Sequence, residues 1–311
     1  MAVLIIAPNE RPDIWEKHLK DLAPDLDIRI WPDTGDPDKI IYAVAWNPPA
    51  GILASFRNLK VIFSLGAGVD HLFKDPDFPA EVTVSRVIDP YLTAGMREYV
   101  LLHVLKYHKN QPELDKQQRK HIWNSREDER LQSDERNIGV LGLGILGTDC
   151  AKSLLALNFN VTGWSRSLKA IPGVTCLSGL DGLNKLLSSS SILVCLLPLT
   201  KDTEGILNYN LFSKLPKGAY LINAARGNHL IEKDLITCLN SGQLTHATLD
   251  VFRKEPLPKE HVFWDHEKIT VTPHNASITD PRTVAHQILE NIQRHLNSKP
   301  ISNTVDIVSG Y

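Results

Sequence analysis

Short apolar runs, separated by amphipathic or polar segments, make up the first 90 residues of the chain. These runs predict strands, and the first, AVLIIA at 2–7, predicts a buried parallel strand because it is apolar on both faces. Apolar residues at helical spacing after the first run predict a helix over 12–23. The predicted strands are 2–7, 26–31, 40–46, 61–65 and 82–87. Strands that alternate with helical links favour a small α/β domain with a parallel sheet.

The pattern changes near residue 90. Residues 93–110 predict a long helix with an apolar face, and we expect the chain to cross into a second domain there. The polar stretch 111–136 predicts an exposed arm or loop, in which Trp123 stands among charged residues. A tryptophan in such an arm is a candidate for burial against a partner subunit.

Residues 137–275 repeat the alternation and predict a second parallel sheet. Its predicted strands are 138–141, 161–164, 191–196, 219–223, 247–251 and 269–272. Six strands with helices between them are typical of a doubly wound sheet. The last amphipathic segment, 281–296, is predicted to pack back on the first domain, which would make that domain discontinuous.

The first strand of the second sheet runs into glycines at 142, 144 and 147, within the sequence NIGVLGLGILG. Strand, glycine turn and helix follow in the order of a dinucleotide-binding unit. Gly142 would allow the tight turn, Gly144 a close approach to a pyrophosphate, and Gly147 close packing of the helix. A plain turn is the alternative interpretation of these glycines taken alone.

Composition gives no reason to expect a nucleic acid or membrane partner. The 311 residues carry a formal net charge of −2, and no apolar run approaches the roughly 18 residues of a membrane span. The four cysteines lie far apart without C-x-x-C spacing, so neither a metal site nor a disulfide framework is predicted. Reduced thiols and an N-terminal sequence unlike a signal peptide lead us to expect a cytoplasmic protein with a small-molecule ligand.

Three polar residues follow the last three predicted strands: Arg226, Glu255 and His274. In open α/β sheets, ligands lie beyond the carboxyl ends of the strands, so these side chains can converge on one ligand. Together they supply an anchor for a carboxylate, a group that orients an imidazole, and a general acid. Each taken alone has a structural alternative, as a surface arginine, a loop carboxylate or a histidine satisfied within a turn.

The end of the second strand of this sheet bears on the choice of cofactor. An NAD-specific site has an acidic residue about 20 residues after the glycines, where it binds the ribose hydroxyls. Ser165, Arg166 and Ser167 occupy that region here, and Arg166 can pair with a 2′-phosphate. We therefore expect NADP(H) to be preferred, with NAD(H) as a second cofactor. Stacking of Arg166 on the adenine is the alternative role of that side chain.

Six long stretches of the chain carry a resemblance to a known family. They are LGAGVDHL (65–72), LGLGILG (141–147), LPLTKDTEGILN (197–208), LINAARGNHLIEKDL (221–235), ATLDVFRKEPLP (247–258) and VTPHNASIT (271–279). In these stretches, which are spaced along nearly the whole chain, the sequence closely resembles the D-isomer-specific 2-hydroxyacid dehydrogenases.

The resemblance implies a doubly wound, Rossmann-type α/β cofactor domain over residues 99–278. It implies a smaller, flavodoxin-like α/β substrate domain formed by residues 1–98 and 279–311. The implied activity is NADPH-dependent reduction of small 2-oxo acids such as glyoxylate and hydroxypyruvate, by a homodimer built on the cofactor domain and the 100–125 arm. Other members of the family act on phosphoglycerate or D-lactate, and a non-catalytic dinucleotide sensor is the alternative from another class.

The resemblance also assigns roles to particular residues. Arg226 would bind the substrate carboxylate, and Glu255 would favour the charged form of His274, the proton donor. The cofactor is expected to contact the three glycines, residues 165–167, Arg226 and His274. We expect further cofactor contacts from Ile145, Leu146, Leu197, Pro198, Ala224, Asp250 and Ala276. Further substrate contacts are expected from Trp46, for which core packing is the alternative, and from the backbone N–H groups of Ala67, Gly68 and Val69.

Overall fold

The computed structural model describes residues 1–8, 10–124 and 131–307. The chain forms two compact units. The first unit comprises Met1–Leu92 and Ile278–Tyr311, and the second comprises Thr93–Ser277. The sequence prediction put the two changes of domain at 98/99 and 278/279. The first change therefore comes six residues earlier in the structure than in the prediction, inside a long helix.

Twelve strands occur in the described part of the chain. They are β1 (Ala2–Ile6), β2 (Asp27–Ile30), β3 (Ile40–Ala45), β4 (Val61–Ser64), β5 (Thr83–Ser85), β6 (Asn137–Leu141), β7 (Asn160–Trp164), β8 (Thr175–Leu177), β9 (Ile192–Cys195), β10 (Ala219–Asn223), β11 (Leu244–Leu249) and β12 (Ile269–Val271).

Nine α-helices are formed by the same residues. They are α1 (Pro12–Leu22), α2 (Asp70–Phe73), α3 (Pro90–His108), α4 (Gln111–Arg119), α5 (Ile145–Ala156), α6 (Gly179–Ser189), α7 (Tyr209–Phe212), α8 (Glu232–Ser241) and α9 (Pro281–Leu296). Among the described residues, no helix is both long enough and apolar enough to cross a membrane.

The first unit is built on a five-stranded sheet in the order β2-β1-β3-β4-β5. Every pairing in it is parallel, and this order is that of the flavodoxin-like doubly wound fold. All five predicted strands are present, so this part of the fold prediction is confirmed. Helix α9 packs against α1 within this unit, as the amphipathic pattern of residues 281–296 predicted.

The second unit is built on a seven-stranded sheet in the order β12-β11-β10-β9-β6-β7-β8. All six pairings are parallel. The order contains the 3-2-1-4-5-6 arrangement of the Rossmann fold, with β6 as its first strand. The fold class is therefore confirmed, but the prediction of six strands is wrong. Strand β8 was missed because its three residues, Thr-Cys-Leu, are only partly buried and form no apolar run.

The central strands of this sheet are buried on both faces, which explains their uninterrupted apolar sequences. Along β9, Leu193 and Cys195 belong to one core cluster, and Ile192 and Val194 belong to another. Helices α6 and α8 cover the first face, and α3 and α5 cover the second.

The segment predicted as an exposed arm or loop is partly helical. Residues 111–119 form α4, so the loop prediction is wrong there, although the helix buries none of its residues. A helix that is polar all round relies on its own side-chain pairs, such as Gln111 Nε2 donating to Asp115 Oδ1 at 2.7 Å. Trp123 is 95% exposed. Residues 125–130 of the predicted arm lie outside the described residues.

Candidate active site

The three predicted catalytic residues follow three strands that lie side by side. Arg226 comes after β10, Glu255 after β11 and His274 after β12. These strands are neighbours at one end of the second sheet, and their carboxyl ends lie at the same edge because the pairing is parallel. Strand order thus brings together residues that are far apart in the sequence.

His274 and Glu255 form a direct pair. His274 Nδ1 lies 2.7 Å from Glu255 Oε2, and each side chain is 35% exposed. The other carboxylate oxygen, Oε1, accepts the backbone N–H of Phe252 at 2.8 Å. Both oxygens of Glu255 therefore accept hydrogen bonds. When Nδ1 of His274 donates to Glu255, Nε2 is the ring nitrogen that can bind a ligand.

The electrostatics of Glu255 favour its ionised form. Partial burial by itself raises the pKa of this carboxyl group. The hydrogen bond and charge of His274, the N–H of Phe252 and the charge of Arg226 together outweigh that effect, so the pKa of Glu255 lies below its ordinary value.

The loop that carries His274 is fixed by Asp250. His274 has a left-handed backbone with φ +51°, and its N–H donates to the carbonyl oxygen of Asp250 at 2.8 Å. The Asp250 carboxylate, on a residue only 1% exposed, accepts the Thr272 hydroxyl at 2.6 Å and the N–H groups of Asn275 and Ala276 at 3.0 Å. Such a clamp compensates the cost of burying the charge. The sequence assigned Asp250 to the cofactor and gave no sign of this clamp.

Arg226 begins a tightly packed turn. Its Nη1 donates to the carbonyl oxygen of Ala225 at 2.8 Å, and its charge contributes to lowering the pKa of Glu255. The next residue, Gly227, leaves no space for a side chain, because an added Cβ would lie 1.9 Å from the carbonyl carbon of Phe252. The absence of a side chain at 227 thus brings the Arg226 turn against the segment that leads to Glu255.

His229 is a buried residue of this turn to which the sequence assigned no role. It is 0% exposed, its Nδ1 accepts the Arg226 N–H at 3.2 Å, and its Nε2 lies 3.2 Å from the carbonyl oxygen of Pro198. It therefore links the turn after β10 to the segment after β9. Its position inside the 221–235 motif was the available signal, but a buried and a ligand-binding histidine have the same appearance in a sequence.

The glycine turn fits a dinucleotide in three separate respects. Gly142 has φ +101°, and an added Cβ there would lie 2.6 Å from Leu196 O. At Gly147 an added Cβ would lie 1.8 Å from Gly142 O, which is the close helix packing expected of the third glycine. At Gly144 nothing lies within 4 Å of an added Cβ, so the backbone is open to an approaching pyrophosphate.

The other residues predicted to bind the cofactor differ in exposure. Ser165 is 9% exposed and its hydroxyl donates to Ser167 O at 2.8 Å, whereas Arg166 and Ser167 are exposed. Ile145 is 46% exposed beside the turn. The remaining residues are partly or fully buried: Leu146, Leu197, Pro198, Ala224 and Ala276.

The predicted substrate residues of the first unit lie after two neighbouring strands of its sheet. Trp46 follows β3, and Ala67, Gly68 and Val69 follow β4. Trp46 is half-buried, with its ring against His71 at a centroid distance of 4.3 Å. Within the described part of the chain, the N–H groups of residues 67–69 donate no hydrogen bond.

The second unit combines a glycine turn of this shape with a Rossmann sheet. At adjacent strand ends it also carries a paired imidazole and carboxylate and an arginine. This combination defines the class of dinucleotide-dependent dehydrogenases.

Comparison with known proteins agrees with this class. The profile of the D-isomer specific 2-hydroxyacid dehydrogenase NAD binding domain matches residues 101–276. Glyoxylate/hydroxypyruvate reductase A of Yersinia enterocolitica is 40% identical over the full length of both chains. A D-isomer specific 2-hydroxyacid dehydrogenase of Xanthobacter autotrophicus, solved with NADPH and MES, is 41% identical with a TM-score of 0.94, covering 100% of this chain and 99% of that one.

A third similar protein is the NADPH-dependent glyoxylate/hydroxypyruvate reductase of Sinorhizobium meliloti, solved with NADP and sulfate. It is 36% identical, with a TM-score of 0.92 and complete coverage of both chains. The chain belongs to the D-isomer specific 2-hydroxyacid dehydrogenase family. The resemblance drawn from its sequence motifs is confirmed, and the protein is an NAD(P)-dependent oxidoreductase.

Proposed function

We propose that this protein reduces glyoxylate to glycolate and hydroxypyruvate to D-glycerate with NADPH. The observation that carries the proposal is the 2.7 Å contact between His274 and Glu255, on the sheet that also holds the glycine turn. The similar proteins of Yersinia enterocolitica and Sinorhizobium meliloti, both named glyoxylate/hydroxypyruvate reductases, support the choice of substrate.

The proposed mechanism assigns one task to each side chain. NADPH, when bound, supplies the hydride that reaches the carbonyl carbon. His274 donates the proton on Nε2 to the carbonyl oxygen, and Glu255 stabilises the imidazolium before transfer. Arg226 pairs with the substrate carboxylate and polarises the carbonyl, because its guanidinium matches a planar anion. The N–H groups of Ala67, Gly68 and Val69 bind the same carboxylate.

The preference for NADPH is supported by the turn after β7. Arg166 and Ser167 are exposed there, and no carboxylate stands among residues 165–167 to repel a 2′-phosphate. The glycine turn, Ile145 and Leu146 would hold the pyrophosphate, and the segments containing Leu197, Pro198, Ala224, Asp250 and Ala276 would surround the nicotinamide half. Similar structures from Xanthobacter autotrophicus and Sinorhizobium meliloti contain NADPH or NADP.

The test is oxidation of NADPH by the purified protein with a panel of 2-oxo acids, repeated with NADH. We expect turnover with glyoxylate and hydroxypyruvate, and a higher kcat/KM for NADPH than for NADH. Preference for pyruvate or 3-phosphohydroxypyruvate would move the protein to another branch of the family. Dinucleotide binding without turnover of any oxo acid would indicate a sensor.

We also propose that the protein is a cytoplasmic homodimer. Exposed apolar residues in the second unit, including Leu102 at 62% and Trp123 at 95%, support association of two chains. The four cysteines are unbridged thiols, which is the usual state in the cytoplasm. Fractionation of cells and the mass of the purified protein test the two parts separately.

A further inference from the structure

His71 has both ring nitrogens engaged within the first unit. The backbone N–H of Asn47 donates to Nδ1 at 3.2 Å, and Nε2 lies 3.3 Å from Ser64 Oγ. Because Nδ1 accepts a hydrogen bond, it carries no proton. The ring is therefore the neutral tautomer, with its proton on Nε2 directed to Ser64.

Ser64 connects this histidine to the loop that follows β4. Its Oγ accepts the Gly66 N–H at 3.3 Å and lies 3.2 Å from Gly66 O and 3.4 Å from Gly68 O. A hydroxyl has one donor and two acceptor positions. The Nε2–H of His71 and the Gly66 N–H fill the acceptor positions, and a glycine carbonyl takes the donor. The serine is 1% exposed, and its hydroxyl is fully satisfied when Nε2 of His71 carries a proton.

Trp46 covers the same loop. Its ring packs on His71, and an added Cβ at Gly66 would lie 2.4 Å from its Cζ3 atom. The indole therefore lies directly on the Gly66 backbone, which no larger residue would permit. His71 is held from one side by Trp46 and through its nitrogens by Asn47 and Ser64.

Residues 65–69, Leu-Gly-Ala-Gly-Val, contain no cationic side chain. The nearest basic residue, His71, is 8% exposed and is held neutral by the two contacts described above. The loop thus presents backbone N–H groups at Ala67, Gly68 and Val69 and carries no cationic side chain of its own. The two oxygens of a carboxylate can accept hydrogen bonds from such N–H donors.

We propose that neutral His71 is a positioning residue, locked by Ser64 and Trp46, that fixes the N–H groups of residues 67–69 for the carboxylate of the 2-oxo acid. This inference rests on the proposed function, because it assumes that the loop binds the substrate carboxylate. His71 acts through the loop backbone and does not itself touch the substrate.

Three substitutions separate the two hydrogen bonds of His71. His71→Asn retains an acceptor for the Asn47 N–H, His71→Gln retains a donor for Ser64, and His71→Leu retains neither. The probes are glyoxylate and its methyl ester, which has the same carbonyl without the carboxylate. In His71→Leu we expect kcat/KM for glyoxylate to fall about tenfold, mainly through KM, with kcat/KM for the ester changed less than about twofold. The Asn and Gln variants should fall between native and Leu.

The outcomes distinguish positioning from other roles. An equal loss on acid and ester would indicate general disruption, and no loss on either would show that the loop does not need His71. Loss in all three variants without partial recovery would mean that the ring contacts the substrate itself. His286→Leu, at an exposed position of α9, is the control. If the native protein reduces no 2-oxo acid, the proposed function fails, and the next measurement still tests the arrangement of the loop.

The tautomer can be measured directly. Selective ¹⁵N labelling of histidine, with His71→Asn used to assign the signal, reports which ring nitrogen carries a proton. We expect a neutral ring protonated at Nε2 at neutral pH, and a change of this signal in Ser64→Ala, which removes its hydrogen-bond partner. Imidazolium, or a neutral ring protonated at Nδ1, would overturn the proposal.

Discussion

At the scale of single residues, Glu255 uses its two oxygens for two different tasks. Oε1 accepts the N–H of Phe252 and so fixes the carboxylate within its own loop, while Oε2 binds His274. Glutamine at this position keeps one acceptor oxygen and replaces the other with an NH2 donor, so it can meet both partners only when Nδ1 of His274 accepts. In the proposed mechanism the charge of Glu255 also has a task, which is to stabilise the protonated form of the proton donor.

Glu255→Gln should shift the pH dependence of the reaction. In the proposed mechanism reduction needs protonated His274, so its rate should be high at low pH and fall as the imidazolium loses its proton. Removing the carboxylate charge destabilises imidazolium, and the falling limb should move to lower pH. Oxidation of the hydroxy acid needs neutral His274 and should show the opposite trend with pH. The measurement is the pH profile of kcat/KM for glyoxylate, and Glu260→Gln, at an exposed residue of the same segment, is the matched control. An unshifted limb would mean that Glu255 does not tune the proton donor.

Arg226→Ala should weaken the reaction without weakening cofactor binding. The change removes the proposed charge-assisted pair with the substrate carboxylate, and kcat/KM for glyoxylate should fall by roughly two to four decades. The affinity for NADPH, measured by fluorescence titration, should stay within about threefold of the native value. Arg226→Lys keeps the charge but not the planar fork, so it should recover part of the loss. A comparable loss of NADPH affinity in the alanine variant would show that Arg226 has a structural role.

The double variant Ser165→Asp, Arg166→Ala should prefer NADH, the reverse of the preference expected for the native protein. The carboxylate repels a 2′-phosphate and can bind the ribose hydroxyls, and the second change removes the cation that would pair with the phosphate. The ratio of kcat/KM values for NADPH and NADH is the measurement. A native protein that uses both cofactors equally well would contradict the argument from the absent carboxylate.

At the scale of elements, α3 packs on β11 and β12 through polar side chains. The Tyr107 and Thr248 hydroxyls lie 2.5 Å apart, and Thr248 is 3.3 Å from His103 Nδ1. Thr270 binds His246 Nε2 at 3.1 Å and accepts from Lys106 Nζ at 3.1 Å. Burial, and secondarily the charge of Lys106, lowers the pKa of both His103 and His246 to about 4. Two neutral histidines therefore lie inside this layer at neutral pH.

The second unit should lose stability on acidification between about pH 6.5 and pH 4. In that range the histidines of the unfolded chain take up protons, while those of the folded chain remain neutral until the pH reaches about 4. The contribution of each histidine to the free energy of unfolding is therefore fully present above the pKa of histidine in the unfolded chain. It declines as the pH falls, by up to about 3 kcal/mol for each histidine. Urea unfolding at several pH values measures it.

His246→Gln should flatten this acid dependence, because it removes one of the buried titrating rings while leaving a donor for Thr270. His286→Gln, at an exposed site in α9, is the control and should leave the dependence as it is. Equal acid sensitivity in the native protein and in His246→Gln would exclude His246 as a cause.

At the scale of the whole molecule, apolar side chains remain uncovered on the second unit. Leu102 and Leu105 of α3 are 62% and 37% exposed, and Ile122 and Trp123 are 51% and 95% exposed. Single exposed apolar residues are ordinary, but these four lie within the 100–125 region to which the dimer contact is assigned, and they support that proposal. A second copy of the chain is the partner that the family resemblance favours.

Leu102→Glu should convert the proposed dimer into a monomer, because a charge would be buried in the contact between two chains. Light scattering coupled to gel filtration should give about twice the 34.8 kDa chain mass for the native protein and the single mass for the variant. Leu180→Glu alters a leucine of α6 that is 70% exposed, and should leave the mass unchanged. A native protein of single-chain mass would refute the dimer.

The sequence by itself determined the class of fold, the family and the cofactor turn. All five strands of the first sheet and six of the seven in the second were predicted. Central strands such as β1 and β9 were the clearest, since strands buried on both faces leave continuous apolar runs. The glycines at 142, 144 and 147 were identified for the same kind of local reason, because the turn requires small residues at a fixed spacing. The juxtaposition of Arg226, Glu255 and His274 could be expected from parallel strands that end at one edge.

Only the tertiary structure decided which atom of each side chain meets which partner. The pairing of Asn47 with His71 spans 24 residues of sequence, and the pairing of Asp250 with Ala276 spans 26. Neither leaves a periodic signal, because contacts between loops depend on strand order. The tautomer of His71, the clamp at Asp250 and the two contacts of Glu255 follow from hydrogen bonds that form only when neighbouring strands bring these distant loops together.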